Sequence, residues 1–357
     1  MKPLTTNLFM NCKILKNVAR MMGCLLGAGA VLTGPCASAQ TNLLPIRIGY
    51  QSTPNWLLLV AKNMHLFEKA GLAPTFEKFT AGITMIPAAQ NDEVDLGDVG
   101  DVPFLMGVSQ GVDWVMIGIS DEGAYAEGLV ARRDSGINSI FDLKGKRIGY
   151  YKGSTADFGL EMALRQTGIR PEQVKMVPLT PAEQLAAIMT NGIDAAMTWE
   201  PWMQNMVHQA DSKIITTEGD LGIYTNVDVY AVRRAWLLAH RETAVRFLQA
   251  LRMAFDVVQN DREIAISTVA KEMNMKESWL KTIYKDDPPP NLEWWGDQSY
   301  EYSLVEGGAF HRRLGYLAAF LADENIISRD LDVSETLDVS VINDAMKSPA
   351  NPAPAAK

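Results

Sequence analysis

The tetrapeptide Arg-Ile-Gly-Tyr occurs twice in this chain, at 47–50 and at 147–150, and similar sequence follows each copy. After each copy come a serine–threonine pair, a helix-like apolar run that ends at a glycine, a short strand, a second helix and a proline. A repeat of roughly 100 residues is far longer than a solenoid unit, so it indicates two α/β lobes built on one βαβαβ plan. Two such lobes face each other across a cleft, and small ligands bind in clefts at domain interfaces.

Strand and helix patterns alternate through both halves of the chain. This predicts an α/β protein of two lobes, each a mixed, mainly parallel sheet flanked by helices. After the strand pattern at 227–232 the sequence becomes mainly helical. We therefore expect the chain to cross between the lobes near 126–133 and near 226–233, and its last helices to pack on lobe one. The predicted boundaries are 44–128 with 231–330 for lobe one, 129–230 for lobe two and 346–357 for a disordered tail.

The first 39 residues differ from the rest of the chain. They carry four basic residues and no acid, an apolar stretch at 21–33, and Ala37-Ser38-Ala39 at their end. A basic start, a short apolar core and a small-residue exit are typical of a cleavable secretory signal peptide. We expect residues 1–39 to be removed on export. Pro35 makes Cys36 a poor lipid acceptor, which argues against a lipoprotein anchor.

Composition excludes several classes of function. All three cysteines lie in the leader, so the mature chain has no disulfide and no cysteine metal site. Removing the leader's four positive charges takes the formal net charge from −9 to −13. This argues against nucleic acid as a partner, because affinity for nucleic acid depends on cationic contacts to phosphate. The four histidines show no metal-ligand spacing, and we see no glycine-rich phosphate loop. We therefore expect no enzyme activity, no cofactor and no metal.

Turns between a strand and a helix carry donors suited to an oxyanion. Gly153-Ser154-Thr155 lies at the carboxyl edge of the second predicted sheet, where main-chain N–H groups, the helix dipole and hydroxyls attract an anion. Ser52-Thr53 stands at the matching place in lobe one, and Ala81-Gly82 precedes the next helix there. The alternative interpretation is that Ser154 or Thr155 only caps its helix.

Acidic and aromatic residues occupy a second pair of matching turns, 98–103 in lobe one and 198–202 in lobe two. A carboxylate beside an aromatic face is a common way to hold a small ammonium or guanidinium group. Asp228 lies inside the apolar run 227–230 and is predicted to be buried at the second crossing. Because a buried charge without a partner is costly, either an internal arginine or a ligand cation must compensate it.

A series of short motifs runs in order through residues 45–325. The motifs are Arg47-Ile48-Gly49-Tyr50-Gln51, Thr80-Ala81-Gly82, Gly100-Asp101-Val102-Pro103, Lys152-Gly153-Ser154-Thr155, Ala163-Leu164-Arg165-Gln166-Thr167-Gly168, Leu179-Thr180-Pro181-Ala182-Glu183, Trp199-Glu200-Pro201 and Val227-Asp228-Val229-Tyr230. Together they resemble the substrate-binding proteins of the bacterial sulfonate, taurine and nitrate ABC importers. The last motif is more similar to the taurine-binding members, and the others to the aliphatic-sulfonate members.

This resemblance implies a two-lobed periplasmic-binding-protein fold of type II. It also implies that the lobes close on a ligand and deliver it to a membrane permease. The candidate ligand-binding residues are Gln51, Asn55, Trp56, Ala81, Gly82, Asp101, Ser154, Thr155, Trp199, Glu200 and Asp228.

The residues and the resemblance together leave three functions open. We predict a monomeric periplasmic receptor for a small sulfonate, taurine or a related aliphatic aminosulfonate. The sulfonate would rest on Ser154, Thr155 and the helix start at Gly82, and the amine would meet Asp228 or Glu200. The alternative is the same receptor role for a small organic cation, a guanidinium or an amine. The third function is an exported enzyme on this scaffold, which would need a catalytic Cys or His in the cleft.

Overall fold

The strands of the described residues form two separate five-stranded sheets. The computed structural model describes residues 43–121, 123–223, 227–286, 289–329 and 331–347. The predicted signal peptide at 1–39 therefore lies outside the described residues. The strands are β1 (Leu44–Gln51), β2 (Leu72–Phe79), β3 (Leu96–Gly100), β4 (Trp114–Asp121), β5 (Glu127–Arg132), β6 (Arg147–Tyr150), β7 (Lys175–Pro178), β8 (Ala195–Trp199), β9 (Ser212–Thr217) and β10 (Asp228–Arg233).

Helices flank both sheets and make up most of the chain after β10. Within the described ranges, none of them combines the length and the apolar character needed to cross a bilayer. The helices are α1 (Trp56–Asn63), α2 (Leu66–Lys69), α3 (Ile86–Gln90), α4 (Asp101–Ser109), α5 (Thr155–Thr167), α6 (Pro181–Met189), α7 (Trp202–Gln209), α8 (Arg234–Ala239), α9 (Arg241–Asn260), α10 (Arg262–Met273), α11 (Glu277–Asp286), α12 (Ala309–Asp323) and α13 (Ser340–Lys347). Because α13 runs to Lys347, the first two residues of the tail that we expected to be disordered are helical.

The two sheets share one topology. Their strand orders are β2-β1-β3-β10-β4 and β7-β6-β8-β5-β9. In the first sheet β1 is parallel to β2 and β3, and β10 is antiparallel to β3 and β4. In the second sheet β6 is parallel to β7 and β8, and β5 is antiparallel to β8 and β9. One strand in each sheet therefore runs against the other strands, which confirms the predicted mixed, mainly parallel sheets.

The antiparallel strand of each sheet is the one that arrives from the other sheet. Strand β4 ends at Asp121 in the first sheet and β5 begins at Glu127 in the second; the chain returns when β10 begins at Asp228. The strand pairing therefore places the crossings at 122–126 and 218–227, a few residues before the boundaries expected from the sequence.

The repeated tetrapeptide has a structural explanation. Arg47, the first residue of the first copy, forms an ion pair with Asp95. Its main-chain N lies 2.9 Å from Asp95 Oδ2, and its Nη2 lies 2.6 Å from Asp95 Oδ1. Arg147 makes the same two contacts with Asp194, at 2.8 and 2.7 Å. Each pair joins one parallel strand, β1 or β6, to the residue just before its parallel neighbour, β3 or β8. The repeat therefore marks one ion pair used twice to align neighbouring parallel strands.

Local sequence also determines where helices begin and end. Asn55 caps α1, because its Oδ1 accepts a hydrogen bond from the Leu58 N–H at 3.1 Å. Thr180 and Glu183 form the predicted capping box at the start of α6. Gly168 ends α5 with a φ of 69°, a left-handed conformation that favours glycine.

The late helices pack on the first sheet, where the larger hydrophobic core lies. Helix α9 contacts α1, α2 and α13, and α12 contacts α4. The largest side chains that are almost completely buried there are those of Trp114, Trp295, Tyr230, Phe67, Phe104, Phe247 and Phe310. The second sheet has smaller cores around Leu129, Ile148 and Met197 on one face and Met203 and Met206 on the other.

We predict that the two arginine–aspartate pairs stabilise both lobes to a similar degree. Asp95→Ala and Asp194→Ala should each lower the free energy of unfolding by about 1–3 kcal/mol, the usual cost of losing hydrogen bonds to a charged partner. Urea denaturation followed by circular dichroism measures this change. The exposed Glu172→Gln should stay within about 0.5 kcal/mol of wild type. Aspartate variants as stable as that control would contradict the structural interpretation of the repeat.

Candidate functional site

Turns at the carboxyl ends of strands from both sheets surround one cleft between the sheets. Its volume is about 520 Å³ including the open mouth. Clefts at the carboxyl edge of mainly parallel sheets are the usual ligand sites of α/β proteins. The described lining residues are Gln51, Thr53, Pro54, Ala81, Gly82, Ile83, Gly100, Pro103, Asp121, Gly123, Ala126, Glu127, Ser154, Thr155, Trp199, Glu200 and Asp228.

Four of these lining residues are acids, and they come from both lobes. Asp121 ends β4 and Asp228 begins β10 in the first sheet, whereas Glu127 begins β5 and Glu200 follows β8 in the second. Among the described residues that line the cleft there is no lysine, arginine or histidine. Acidic side chains therefore face the cleft from both lobes, without a basic side chain among the described lining residues.

Neighbouring side chains hold three of these acids in place. Gln51 Nε2 donates to Asp228 Oδ2 at 3.1 Å, and Thr155 Oγ1 donates to Glu127 Oε2 at 2.8 Å. Glu200 Oε2 accepts a hydrogen bond from the Gln204 N–H at 3.1 Å. In all three cases the donor belongs to the same lobe as the acid, so lobe one holds one of these carboxylates in a defined orientation and lobe two holds two.

Burial and mutual repulsion raise the pKa of the acids around the first sheet. Burial raises the pKa of Asp228 well above its ordinary range, and the charges of Asp98, Asp121, Glu127 and Asp101 raise it further. Burial likewise raises the pKa of Asp101. Burial raises the pKa of Asp98 to about 6, although hydrogen bonds, first of all from the Ser120 hydroxyl, oppose the shift. A cation in the cleft would favour the ionised form of these groups.

Three of the donors that we predicted for a sulfonate already have partners inside the protein. The Gly82 N–H donates to Gln51 Oε1 at 2.6 Å, and the Ser154 hydroxyl donates to the Tyr151 carbonyl at 2.7 Å. Ser154 also caps α5 by accepting from the Asp157 N–H at 3.3 Å. The Thr155 hydroxyl donates to Glu127 as described above. The capping alternative for Ser154 therefore describes its observed contacts.

Eight of the eleven candidate residues line the cleft. They are Gln51, Ala81, Gly82, Ser154, Thr155, Trp199, Glu200 and Asp228. Trp199 is 8% exposed, and its ring lies 6.5 Å from that of Tyr151. No other residue among the described lining residues is aromatic.

The structure places the other three candidates behind the cleft wall. Asn55 caps α1 and accepts from the Tyr230 hydroxyl at 3.0 Å. Trp56 is 2% exposed and packs edge-on against Tyr284, with ring centroids 4.9 Å apart. Asp101 is buried in the first turn of α4, where its Oδ1 accepts from the Val102 N–H at 2.7 Å. Helix capping and core packing therefore account for the positions of these three side chains.

Sequence reasoning did not include Asp121, Glu127 or Thr53 among the candidates. The two acids flank the first crossing, and their sequence surroundings gave no sign that they would face the cleft. One signal was available: Glu127 begins β5 as Asp228 begins β10, so matching the two crossing strands would have identified it. Thr53 is 8% exposed, and its hydroxyl has no hydrogen-bond partner within the described chain.

The two lobes touch each other at the cleft. A Cβ atom added to Gly100 would lie 3.0 Å from Thr155 Cγ2 and 3.2 Å from Asp228 Oδ1. A Cβ atom on Gly153 would lie only 2.5 Å from Ile83 Cδ1 of the other lobe. These glycines therefore permit a close approach of the lobes, as a closed binding protein requires.

The comparison with known protein families identifies the group to which this architecture belongs. The profile of the NMT1/THI5-like family matches residues 54–265, which is more than half of the chain. The chain belongs to the NMT1/THI5-like family.

Several relatives of this family member have names that state a ligand. The chain is 28% identical over 262 residues to a candidate aliphatic sulfonates-binding protein of Escherichia coli (strain K12), covering 72% of this chain and 80% of that protein. It is 26% identical over 213 residues to the taurine-binding periplasmic protein of the same organism, covering 59% and 65%. The predicted resemblance to sulfonate- and taurine-binding proteins is thereby confirmed.

A solved structure confirms the predicted fold. The crystal structure of the periplasmic aliphatic sulphonate binding protein SsuA from Escherichia coli superposes with a TM-score of 0.69. The match covers 84% of this chain and 99% of that one, at 23% sequence identity. The fold is therefore the two-lobed periplasmic-binding-protein fold expected from the sequence.

We predict that ionising Asp98 destabilises the ligand-free protein. Its pKa of about 6 lies above the ordinary 3.8, so the folded state binds this proton more tightly than the unfolded state. The free energy of unfolding should therefore fall as the pH rises, by roughly 3 kcal/mol for this residue between about pH 4 and pH 7.

The Asp98→Asn variant isolates this effect, because an amide is a neutral substitute for the protonated acid. Urea denaturation measures the free energy of unfolding of each protein. The difference between wild type and Asp98→Asn should move against wild type as the pH rises through that interval. The difference between wild type and Glu172→Gln should stay constant. A constant difference between wild type and Asp98→Asn would show that Asp98 is not the titrating group.

Proposed function

We propose that this protein is the substrate-binding component of an ABC importer, that it works as a monomer in the periplasm, and that its ligand is a small organic cation. Family membership and the fold support the receptor role. The chain passes between the sheets twice, from β4 to β5 and from β9 to β10, and the lobes would hinge about these two connections to close on the ligand. The closed protein would then deliver the ligand to a membrane permease.

The observation that carries the ligand assignment is the charge of the cleft. Asp121, Glu127, Glu200 and Asp228 line it, and the described lining contains no basic side chain. Two like charges about 4 Å apart repel by roughly 4 kcal/mol at the effective dielectric constant of about 20 that describes many protein sites. A sulfonate among these carboxylates would meet that repulsion, whereas an ammonium or guanidinium group would relieve the repulsion between the acids.

Thr53 supports a ligand in the same cleft independently of the charges. Its side chain is more than nine-tenths buried and lines the cleft, yet its hydroxyl finds no partner among the described residues. Buried hydroxyls are normally hydrogen-bonded, and an unpartnered one often marks a missing ligand or water. A polar ligand group beside Asp228 and Gln51 would satisfy it.

The sulfonate alternative is favoured by the names of the relatives but has weaker support in the geometry. The donors assigned to it on Gly82, Ser154 and Thr155 are already used within the protein. The enzyme alternative required a cysteine or histidine in the cleft, and the described lining residues include neither. The two relatives named above are binding proteins.

A matched pair of ligands tests the sign of the ligand charge. Ethylammonium and ethanesulfonate share a two-carbon chain, and taurine carries both groups. Isothermal titration calorimetry of the purified mature protein should show binding of ethylammonium or methylguanidinium at least about tenfold tighter than binding of ethanesulfonate, a difference of roughly 1.4 kcal/mol. Binding of taurine and ethanesulfonate without binding of either cation would reverse the assignment in favour of the sulfonate.

We predict that Asp228→Asn weakens cation binding by at least about tenfold, because truncating one partner of a buried charge pair typically costs 2 kcal/mol or more. Glu77→Gln removes an exposed acid of the same lobe and should leave the affinity unchanged. Both variants can be compared with wild type in the same calorimetric titration. If both variants lose affinity for the cation equally, the effect comes from the net charge of the protein and not from the cleft.

A further inference from the structure

Two acids of the cleft, Asp228 and Glu127, are related by the topology that the two lobes share. Asp228 is the first residue of β10 and lies opposite Gly100, the last residue of β3. Glu127 is the first residue of β5 and lies opposite Trp199, the last residue of β8. Since β10 and β5 occupy the same position in the two sheet orders, Asp228 and Glu127 are equivalent residues of the two lobes.

The main-chain hydrogen bonds next to these acids repeat as well. The Val227 carbonyl, just before Asp228, accepts from the Asp101 N–H at 2.9 Å. The Ala126 carbonyl, just before Glu127, accepts from the Glu200 N–H at 2.8 Å. Asp101 and Glu200 are therefore a second equivalent pair. The same local structure surrounds Asp228 and Glu127, although the second pair differs: Glu200 lines the cleft, whereas Asp101 lies behind its wall.

Both members of the first pair are oriented by their own lobe and face the same space. Gln51 holds one oxygen of Asp228, and Thr155 holds one oxygen of Glu127. Both acids line the cleft, and the charge of Glu127 is close enough to raise the pKa of Asp228. A group bound between the lobes therefore meets one oriented carboxylate from each side.

We infer that Asp228 and Glu127 form a carboxylate clamp for a cationic group that bears N–H donors on two sides, such as a guanidinium, an amidinium or a primary ammonium. This inference rests on the proposed function and narrows its ligand class. Carboxylates form their strongest contacts with charged N–H donors, and a planar guanidinium presents such donors along more than one edge.

A quaternary ammonium group fits the same cleft poorly. It has no N–H donor, and proteins recognise it by enclosing it in several aromatic rings. Trp199 is the aromatic residue among the described lining residues, so the described wall does not supply such an enclosure. The unpartnered Thr53 hydroxyl adds a further hydrogen-bonding group where an aromatic cage would need an apolar face.

A series of ligands of equal charge tests the requirement for N–H donors in the wild-type protein. Calorimetric titrations would compare methylguanidinium with hexamethylguanidinium, which keeps the charge and the guanidinium core but has no N–H, and with tetramethylammonium. We expect methylguanidinium to bind at least about tenfold tighter than either methylated cation. If the methylated cations bind as tightly, the clamp is wrong and the proposed cation receptor stands. If none of the cations binds, the proposed function itself fails.

Two variants test whether the two lobes contribute equally. Asp228→Asn and Glu127→Gln should each weaken methylguanidinium binding at least about tenfold and reduce its preference over tetramethylammonium. Their controls are the exposed acids Glu77→Gln in lobe one and Glu172→Gln in lobe two, which should bind as wild type does. If Asp228→Asn loses affinity for methylguanidinium and Glu127→Gln does not, the two acids do not act together as a clamp. If circular dichroism shows that a variant does not fold, the wild-type ligand series still decides the inference.

Discussion

Repulsion among carboxylates buried at the junction of the two sheets is the constraint on which the rest of the site depends. Asp98, Asp101 and Asp228 all have a raised pKa, and burial is the largest cause in each case. Such a cluster cannot ionise fully unless something positive enters. Burial therefore favours the protonated form of these groups, whereas a positive charge nearby would favour the ionised form. The pH dependence of stability follows from this arrangement.

The topology explains why so many acids meet in one place. In each sheet the antiparallel crossing strand begins beside the carboxyl end of a parallel strand, so its first residue faces the cleft. Helices α4 and α5 also begin at this edge. Their N-terminal partial positive charges offset part of the cost of burying carboxylates there. The fold thus gathers negative charge at the lobe junction and partly stabilises it before any ligand binds.

Much of the architecture could be predicted from the sequence because its signals are local or repeated. The capping residues Asn55 and Thr180, the terminating Gly168 and the two Arg-Ile-Gly-Tyr copies act over a few residues or recur at a fixed spacing. The order of strands and helices then indicated two similar lobes. The site was harder, since a side chain at a turn can face either the cleft or the core. The side chains of Trp56 and Asp101 do not line the cleft. Trp56 packs against Tyr284, and Asp101 accepts a hydrogen bond from the Val102 N–H.

By itself the sequence indicated the two-lobed α/β plan, several helix starts and eight of the residues around the cleft, because hydrophobic periodicity and capping chemistry act over short distances. Only the tertiary structure decided what those residues do. It showed that the Gly82 N–H and the hydroxyls of Ser154 and Thr155 are already bonded internally, and that Asp121 and Glu127 join Asp228 and Glu200 across the cleft. The physical reason is that charge interactions depend on distance in space, and residues about a hundred positions apart become neighbours only when the two lobes meet.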